Sequence, residues 1–76
     1  MWYVYLLRCS DGSLYAGVTT DLARRVAQHN AGKGGAYTRA KRPVRLVFRE
    51  NHPTRSSALK REAQIKRWPR SKKETL

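Results

Sequence analysis

The pattern of apolar and polar positions predicts a β-hairpin at the start of the chain. Residues 2–7 and 14–19 are rich in aromatic and β-branched side chains, which favour extended strands. The segment between them, Ser10-Asp11-Gly12-Ser13, has the composition of a tight turn. Two turns fit this segment, a three-residue loop over 10–12 and a two-residue Asp-Gly turn. The choice between them decides which side chains share a face of the hairpin.

The three-residue loop is the turn that we expect, because it places Gly12 at the left-handed position that such loops require. In its register Tyr5 lies opposite Gly17. One face of the hairpin then carries Tyr3, Tyr5 and Tyr15. The two-residue turn would instead send Tyr5 and Tyr15 to opposite faces. The strand pattern alone does not show whether these tyrosines pack in the core or take part in a reaction.

A helix over residues 21–30 follows the hairpin, with capping residues in Thr19-Thr20-Asp21. The stripe that we expect to face the core consists of Leu22, Ala23, Val26 and Asn30. Arg25 and His29 lie one turn apart at the edge of that stripe, between core and solvent. Each also has a purely structural interpretation, a snorkelling arginine and a histidine that favours the C-terminal end of the helix.

Residues 32–43 form a glycine-rich loop with four basic side chains and a short helical turn around 37–39. The loop lacks the Walker A pattern, so it is either a backbone clamp on a phosphodiester or a solvated linker. A third strand follows over 43–50, where Val44, Leu46 and Phe48 alternate with mostly basic positions. His52, beside a proline in the following turn, is assigned no role.

A second helix begins at a Thr54 or Ser56 cap and runs to about Trp68, where Pro69 ends it. Its sharpest feature is Glu62, which helical spacing places in the middle of the apolar face. A carboxylate facing a core is costly unless it is paired or bound to a cation. Glu62 is therefore either paired with an arginine or a ligand for a hard divalent cation.

These elements predict an α+β fold, with a small three-stranded antiparallel sheet flanked by helices in the order β-β-α-β-α. A short C-terminal helix is an option within the basic segment 68–76, which we otherwise expect to be a solvated tail that adds attraction for phosphate. The 76 residues are enough for one small domain, 1–76.

The charge of the chain points to its partner. Seventeen Lys and Arg against five Asp and Glu give a net charge of +12, which opposes compact folding and fits a polyanion such as nucleic acid. Cys9 is the single cysteine, so neither an internal disulfide nor a cysteine-based zinc site is available, and we expect no disulfide-linked partner. The absence of a signal-like or spanning segment favours a cytoplasmic location away from the membrane.

Five positions together resemble the GIY-YIG endonuclease superfamily, in its small stand-alone bacterial form. Tyr3-Val4-Tyr5 stands where that family has its first motif, and Tyr15-Ala16-Gly17 where it has its second. Arg25 and His29 match the family's helix arginine and the His or Tyr one turn later. Glu62 matches its metal-binding glutamate. Two departures are a tyrosine at position 3, where glycine is usual, and the lack of any asparagine after the glutamate.

The resemblance implies a metal-dependent endonuclease that hydrolyses phosphodiester bonds with little sequence specificity, in DNA repair or nucleic-acid processing, on DNA or alternatively RNA. It implies that Glu62 holds one Mg²⁺ or Mn²⁺ and that Arg25 clamps the phosphate. Tyr5, or alternatively Tyr15, would be the general base, and His29 would orient a tyrosine or contact the phosphate. The residues expected to contact nucleic acid are Gly17, Lys33, Arg39, Lys41, Arg42 and Lys66. A non-catalytic nucleic-acid-binding module and an interaction domain for a nuclease partner are the alternatives.

Overall fold

The central element of the fold is an antiparallel sheet of three strands, in the spatial order β2-β1-β3. A computed structural model describes all residues, 1–76. Its strands are β1 (Trp2–Arg8), β2 (Leu14–Thr19) and β3 (Arg45–His52). Its helices are α1 (Leu22–Asn30), α2 (Ala36–Arg39), α3 (Arg55–Lys66) and α4 (Arg70–Lys73). The predicted α+β class and element order are confirmed, and α2 and α4 are the two short helical segments that the sequence allowed. None of the helices has the length and apolarity needed to cross a membrane.

The hairpin of β1 and β2 has the three-residue loop. The Cys9 N–H donates to the Ser13 carbonyl at 2.9 Å, and Gly12 has a φ of 85°, in the left-handed region. Tyr5 consequently lies opposite Gly17 in the pairing of the two strands. The predicted register is therefore confirmed, and with it the shared face of the strand tyrosines.

The two faces of the sheet carry separate cores. On one face the buried side chains are Val4, Leu6, Ala16, Ala58 and Ile65, so this core joins the sheet to α3. On the other face they are Tyr5, Leu7, Cys9 and Val44, packed by the half-buried Leu22 and Val26 of α1. Successive residues of β1 thus alternate between two hydrophobic layers, which explains why this central strand is apolar on both sides.

The prediction of an apolar face on β3 is only partly correct. The pairing of β1 with β3 shifts by one residue between Leu6 and Leu7, so Val47 is an extra residue in the ladder. Leu46 and Val47 remain 38% and 41% exposed, whereas Phe48 is half-buried against the α3-side core. A bulge of this kind breaks strict alternation, and the two-residue period of the sequence could not reveal it.

The core stripe predicted for α1 is wrong at two positions. Ala23 and Asn30 are exposed, and only Leu22 and Val26 pack against the core. The Asn30 amide instead bridges to the backbone of Val44, accepting from its N–H at 2.7 Å and donating to its carbonyl at 3.0 Å. Asn30 therefore ties the end of α1 to the chain that enters β3.

The basic C-terminal segment is not a free tail. Helix α3 ends at Lys66, and α4 turns back towards the hairpin loop. Glu74 forms an ion pair with Arg8 of β1, and the pKa of its carboxyl falls to about 2 because of that hydrogen bond. Arg70 donates to the Gly12 carbonyl at 2.7 Å. These contacts correct the expectation of a solvated tail, since two of its side chains are bound to the hairpin.

Replacing Gly12 with alanine should destabilise the fold by about 1 kcal/mol, because an L side chain disfavours a φ of 85°. The substitution tests backbone strain without a steric clash, since an added Cβ would meet only Arg70 Nη2 at 3.5 Å, an ordinary contact. Denaturant unfolding of Gly12→Ala measures the loss. Gly12→Asn is the control and should lose less, because asparagine tolerates this conformation. Equal losses in the two variants would contradict the conformational explanation.

Candidate active site

A cleft of about 450 Å³ lies along the edge strand β2, where α1 and α3 approach it from opposite faces of the sheet. The residues that line it are Trp2, Tyr5, Tyr15, Gly17, Val18, Arg25, Arg55, Leu59 and Glu62. Four of the five side chains proposed from the sequence as catalytic thus meet at one cleft, although they come from four elements. The fifth, His29, lies behind Tyr5.

Gly17 is required by the packing of Tyr5. A Cβ at position 17 would lie 2.3 Å from the Tyr5 Oη, far inside van der Waals contact. From the sequence, Gly17 was expected to contact nucleic acid at the space that its missing side chain leaves beside Tyr5. In the structure that space is occupied by the tyrosine hydroxyl, and the Tyr5 side chain is only 1% exposed. The glycine therefore allows a buried tyrosine to bring its hydroxyl to the cleft.

A chain of hydrogen bonds leads from the cleft into the protein. The Arg25 Nε donates to the Tyr5 Oη at 3.4 Å, and the Oη lies 3.2 Å from the His29 Nε2. The His29 Nδ1 lies 2.7 Å from the Thr38 Oγ1. Arginine can only donate, so the phenolic hydrogen of Tyr5 is free to point at the Nε2. With the phenolic hydrogen donated to Nε2, the imidazole proton would lie on Nδ1 and be donated to Thr38.

The structure corrects the position expected for His29. It is fully buried, rather than at the margin between core and solvent. A Cβ at Gly34 would lie 2.1 Å from the His29 Nδ1, so the loop backbone covers the ring. The His29 and Tyr15 rings are in a T-shaped contact, with centroids 5.3 Å apart. Part of the glycine-rich loop thus covers a buried histidine, a use that neither the clamp nor the linker interpretation included.

Gly34 and Thr38 are the site residues that sequence reasoning missed. Gly34 also contributes its carbonyl, which accepts from the Arg25 Nη2 at 3.3 Å. Thr38 is 1% exposed although it lies on a helix of only four residues. The available signals were the glycine run at 32–35 and the short helical turn after it. Neither signal indicates that the segment folds onto His29.

Burial keeps both ends of the Tyr5–His29 hydrogen bond uncharged. Burial raises the pKa of the Tyr5 phenol above its ordinary value, and the neighbouring Arg25 offsets part of that change. Burial and the Arg25 charge both lower the pKa of the His29 imidazole. Near pH 7 the pair is therefore a neutral phenol and a neutral imidazole.

Tyr15 is held by aromatic contacts. Its ring stacks on that of Tyr37, with centroids 5.6 Å apart. The Lys41 Nζ lies 4.0 Å from the centre of the Tyr37 ring, and the Tyr37 hydroxyl donates to Ser13 Oγ at 3.1 Å. Because Tyr15 is half-buried and lines the cleft, its ring has a fixed position in the wall between the hairpin and α2.

Glu62 supplies the only carboxylate of the cleft. Its side chain is 19% exposed, and its ion-pair partner is Lys66, 3.6 Å away and one turn later. The alternative of a buried glutamate paired with an arginine is therefore not what the structure has. No three His, Cys, Asp or Glu side chains group together as a cage for a metal ion. A single carboxylate facing open space instead fits Mg²⁺ or Mn²⁺ that keeps water and takes oxygens from a phosphate.

The basic residues expected to bind nucleic acid do not all reach the cleft. Lys66 lies beside Glu62, and Lys33 is exposed in the loop that covers His29. Arg39 and Arg42 line a different recess of about 430 Å³, and Arg42 donates to the carbonyl of Arg39 at 3.0 Å. Lys41 is paired with an aspartate, Asp11, at 3.0 Å. Four residues that line the cleft were not singled out from the sequence, and these are Trp2, Val18, Arg55 and Leu59.

Comparison with known proteins agrees with this geometry. Residues 1–75 match the family model described as the GIY-YIG catalytic domain. A UPF0213 protein of Haloquadratum walsbyi is 57% identical over 74 residues, covering 97% of this chain and 83% of that protein. One of Desulfotalea psychrophila is 51% identical over 76 residues, covering 99% and 69%.

Two solved structures are also similar. The solution NMR structure of a UPF0213 protein from Bacillus halodurans has a TM-score of 0.62 and 46% identity, covering 99% of this chain and 81% of that chain. The solution NMR structure of a protein from E. faecalis has a TM-score of 0.65 and 45% identity, covering 96% and 78%.

The hydrogen-bond chain makes a spectroscopic prediction for His29. At pH 7 its imidazole should be neutral with the proton on Nδ1, and it should gain a second proton only below the ordinary pKa of about 6.5. As the pH falls, the unfolded chain binds that proton before the folded chain does. The contribution of the neutral His29 to the free energy of unfolding is therefore complete above pH ~6.5 and is lost as the pH falls below it. Long-range ¹⁵N–¹H correlation spectra of the ring measure both properties. Thr38→Val removes the acceptor at Nδ1 and should shift the tautomer ratio, and an Nε2-protonated ring in the unsubstituted protein would contradict the assignment.

Proposed function

Because the chain belongs to the GIY-YIG catalytic-domain family, whose superfamily is one of nucleases, we propose that it is a metal-dependent endonuclease. Its substrate is DNA, with RNA as the alternative, and it cuts with little sequence specificity. The observation that carries the proposal is the convergence of Tyr5, Tyr15, Arg25 and Glu62 on one cleft. Nothing in the chain resembles a base-reading element, and a net charge of +12 favours contacts to the phosphate backbone.

Arg25 is the residue that binds the scissile phosphate. Its guanidinium is already fixed by three hydrogen bonds, to Tyr5 Oη, to Gln28 Oε1 and to the Gly34 carbonyl. A guanidinium has five N–H groups, so one remains free on each terminal nitrogen. Each of these two N–H groups can donate to an oxygen of the phosphate. The arginine is thus oriented before the substrate arrives, which reduces the entropy lost on binding.

Tyr5 is the general base, and His29 makes that role feasible. A phenol whose pKa is raised by burial is a poor base by itself. Through the 3.2 Å hydrogen bond, however, Tyr5 can accept a proton from the attacking water while its own proton passes to the His29 Nε2. The water oxygen bonds to phosphorus, the bond from phosphorus to the leaving sugar oxygen breaks, and that oxygen takes a proton from solvent. The proton lost by the water then lies on Tyr5, and the imidazole carries the proton that Tyr5 gave up.

Glu62 is the residue that would hold Mg²⁺ or Mn²⁺. Its carboxylate oxygens are the hard donors that such cations prefer, and the cleft places them in the same space as Arg25. When bound, the cation would stabilise negative charge on the phosphate and on the leaving oxygen. In the absence of a bound metal, the neighbouring Lys66 provides the counter-charge for the Glu62 carboxylate. Glu62 and Arg25 then meet one phosphate from the two sides of the cleft.

Glu62→Gln should lower cleavage at least about a hundred-fold, since the amide lacks the charge that holds the cation. Binding should persist, because the basic surface is unchanged. The measurement is cleavage of single-stranded, duplex and branched substrates with Mg²⁺ or Mn²⁺, alongside binding in chelator.

Glu74→Gln is the matched control and should leave cleavage unchanged, because Glu74 directly follows α4, contacts Arg8 and lies outside the cleft. If the purified protein cuts none of these substrates with either metal, the nuclease proposal is wrong and a non-catalytic nucleic-acid-binding role replaces it. A sharp consensus among the cleavage sites would refute the lack of sequence specificity.

Tyr5→Phe keeps the ring that fills the space under Gly17 but removes the hydroxyl. Single-turnover cleavage should slow by about 10²- to 10⁴-fold, the usual contribution of a general base. Tyr15→Phe should have a smaller effect, because no hydrogen bond links the Tyr15 hydroxyl to the His29 chain. The reverse order of the two effects would transfer the role of base to Tyr15.

A further inference from the structure

The outer wall of the cleft is not explained by phosphodiester chemistry. Trp2 and Arg55 line it together with the half-exposed Leu59, and the Arg55 guanidinium lies 5.9 Å from the centre of the Trp2 ring. Hydrolysis requires a base, a cation site and a phosphate clamp, and none of the three uses an indole. At about 450 Å³ the cleft is within the range of ~300–1,000 Å³ typical of pockets for small organic ligands. It is therefore large enough to receive a nucleotide.

Trp2 lies where a strand held by Arg25 would pass. Trp2, Val18 and Arg25 line both the cleft and a neighbouring recess of about 280 Å³, on the side of α1. Any chain that continues from one recess to the other must cross these three residues. Because Arg25 is the phosphate clamp, the nucleotide beside the bound phosphate comes next to the indole.

Arg55 is free to contact a ligand. It is exposed and takes part in none of the ion pairs or side-chain hydrogen bonds that engage the neighbouring Arg61. The other tryptophan, Trp68, is placed differently. Both tryptophans pack against the α3-side core, but the Trp68 ring lies close to Arg61 and Lys72 and does not line the cleft. Only Trp2 thus combines an indole with an open basic cleft.

We propose that Trp2 and Arg55 form a base-stacking subsite for an unpaired nucleotide next to the phosphate that Arg25 holds, an inference that rests on the proposed function. Indole rings and guanidinium planes both stack on nucleobases without reading their sequence. A base inside a duplex is already stacked on its neighbours, so only a strand that is single or locally unpaired can use this subsite. The preferred substrate is consequently unpaired nucleic acid.

The test uses the fluorescence of Trp2 in the Trp68→Phe protein, where it is the only tryptophan. Metal is removed by chelator, so that binding is measured without cleavage. One probe is an oligothymidylate, and the other is a strand of equal length whose sugars carry no bases. The oligothymidylate should quench the Trp2 emission and bind more tightly, whereas the abasic strand should do neither. Both probes offer the same number of phosphates, so the difference isolates the base.

Trp2→Ala should weaken binding of the oligothymidylate by about ten-fold, the usual effect of losing one stacking residue, and leave the abasic strand unaffected. Trp2→Phe should keep most of the affinity, and circular dichroism confirms that each variant is folded. Arg55→Ala should reduce the affinity for both probes, and it should also reduce the preference for the probe that carries bases. Equal affinity for the two probes, or an equal loss for both in Trp2→Ala, overturns the subsite.

Failure of this proposal is distinguishable from failure of the proposed function. The binding assay contains no metal, so a protein that stacks bases but never cuts refutes the nuclease alone. A protein that cuts with Mg²⁺ or Mn²⁺ but shows no base-dependent quenching refutes the subsite alone.

Discussion

The pairing of Tyr5 with Gly17 is the constraint on which the rest of the site depends. Antiparallel strands fix which residues face each other, and a slip of one residue would turn Tyr5 towards the core under α3. In the observed register the glycine makes room for the tyrosine hydroxyl, which lies between Arg25 and His29. The loop at Gly12 sets that register, so a turn remote from the cleft determines its chemistry.

The buried hydrogen bonds behind Tyr5 couple the site to the folding of the loop before β3. His29 and Thr38 are both buried, and every buried side-chain polar atom of the protein has a hydrogen-bond partner. Leaving one such group without its partner costs about 1–3 kcal/mol, a large fraction of the stability that a small domain has. The glycine-rich segment therefore cannot move away from His29 without a penalty. Residues 34–38 support the candidate site as much as the hairpin does.

The sequence predicted the elements that repeat a local pattern and missed the contacts made by irregular backbone. The hairpin register followed from the position of Gly12, whereas the grouping of Glu62 with Arg25 followed from the resemblance to the GIY-YIG family. The burial of His29 did not, because it results from a loop that folds over the ring and has no period of its own. The tail was misjudged for the same reason, since its composition suggested solvent exposure while one carboxylate, Glu74, binds it to β1.

The distribution of charge shows how the proposed cation site is compatible with a net charge of +12. The acidic residues other than Glu62 are used elsewhere, with Asp21 capping α1 and Asp11, Glu50 and Glu74 in ion pairs. Within the cleft one carboxylate faces two guanidinium groups, so the walls alone are net positive and disfavour a free divalent cation. The phosphodiester of the proposed substrate would supply the missing negative charge. We therefore expect cation and nucleic acid to enter this cleft together, with the substrate completing the site that Glu62 begins.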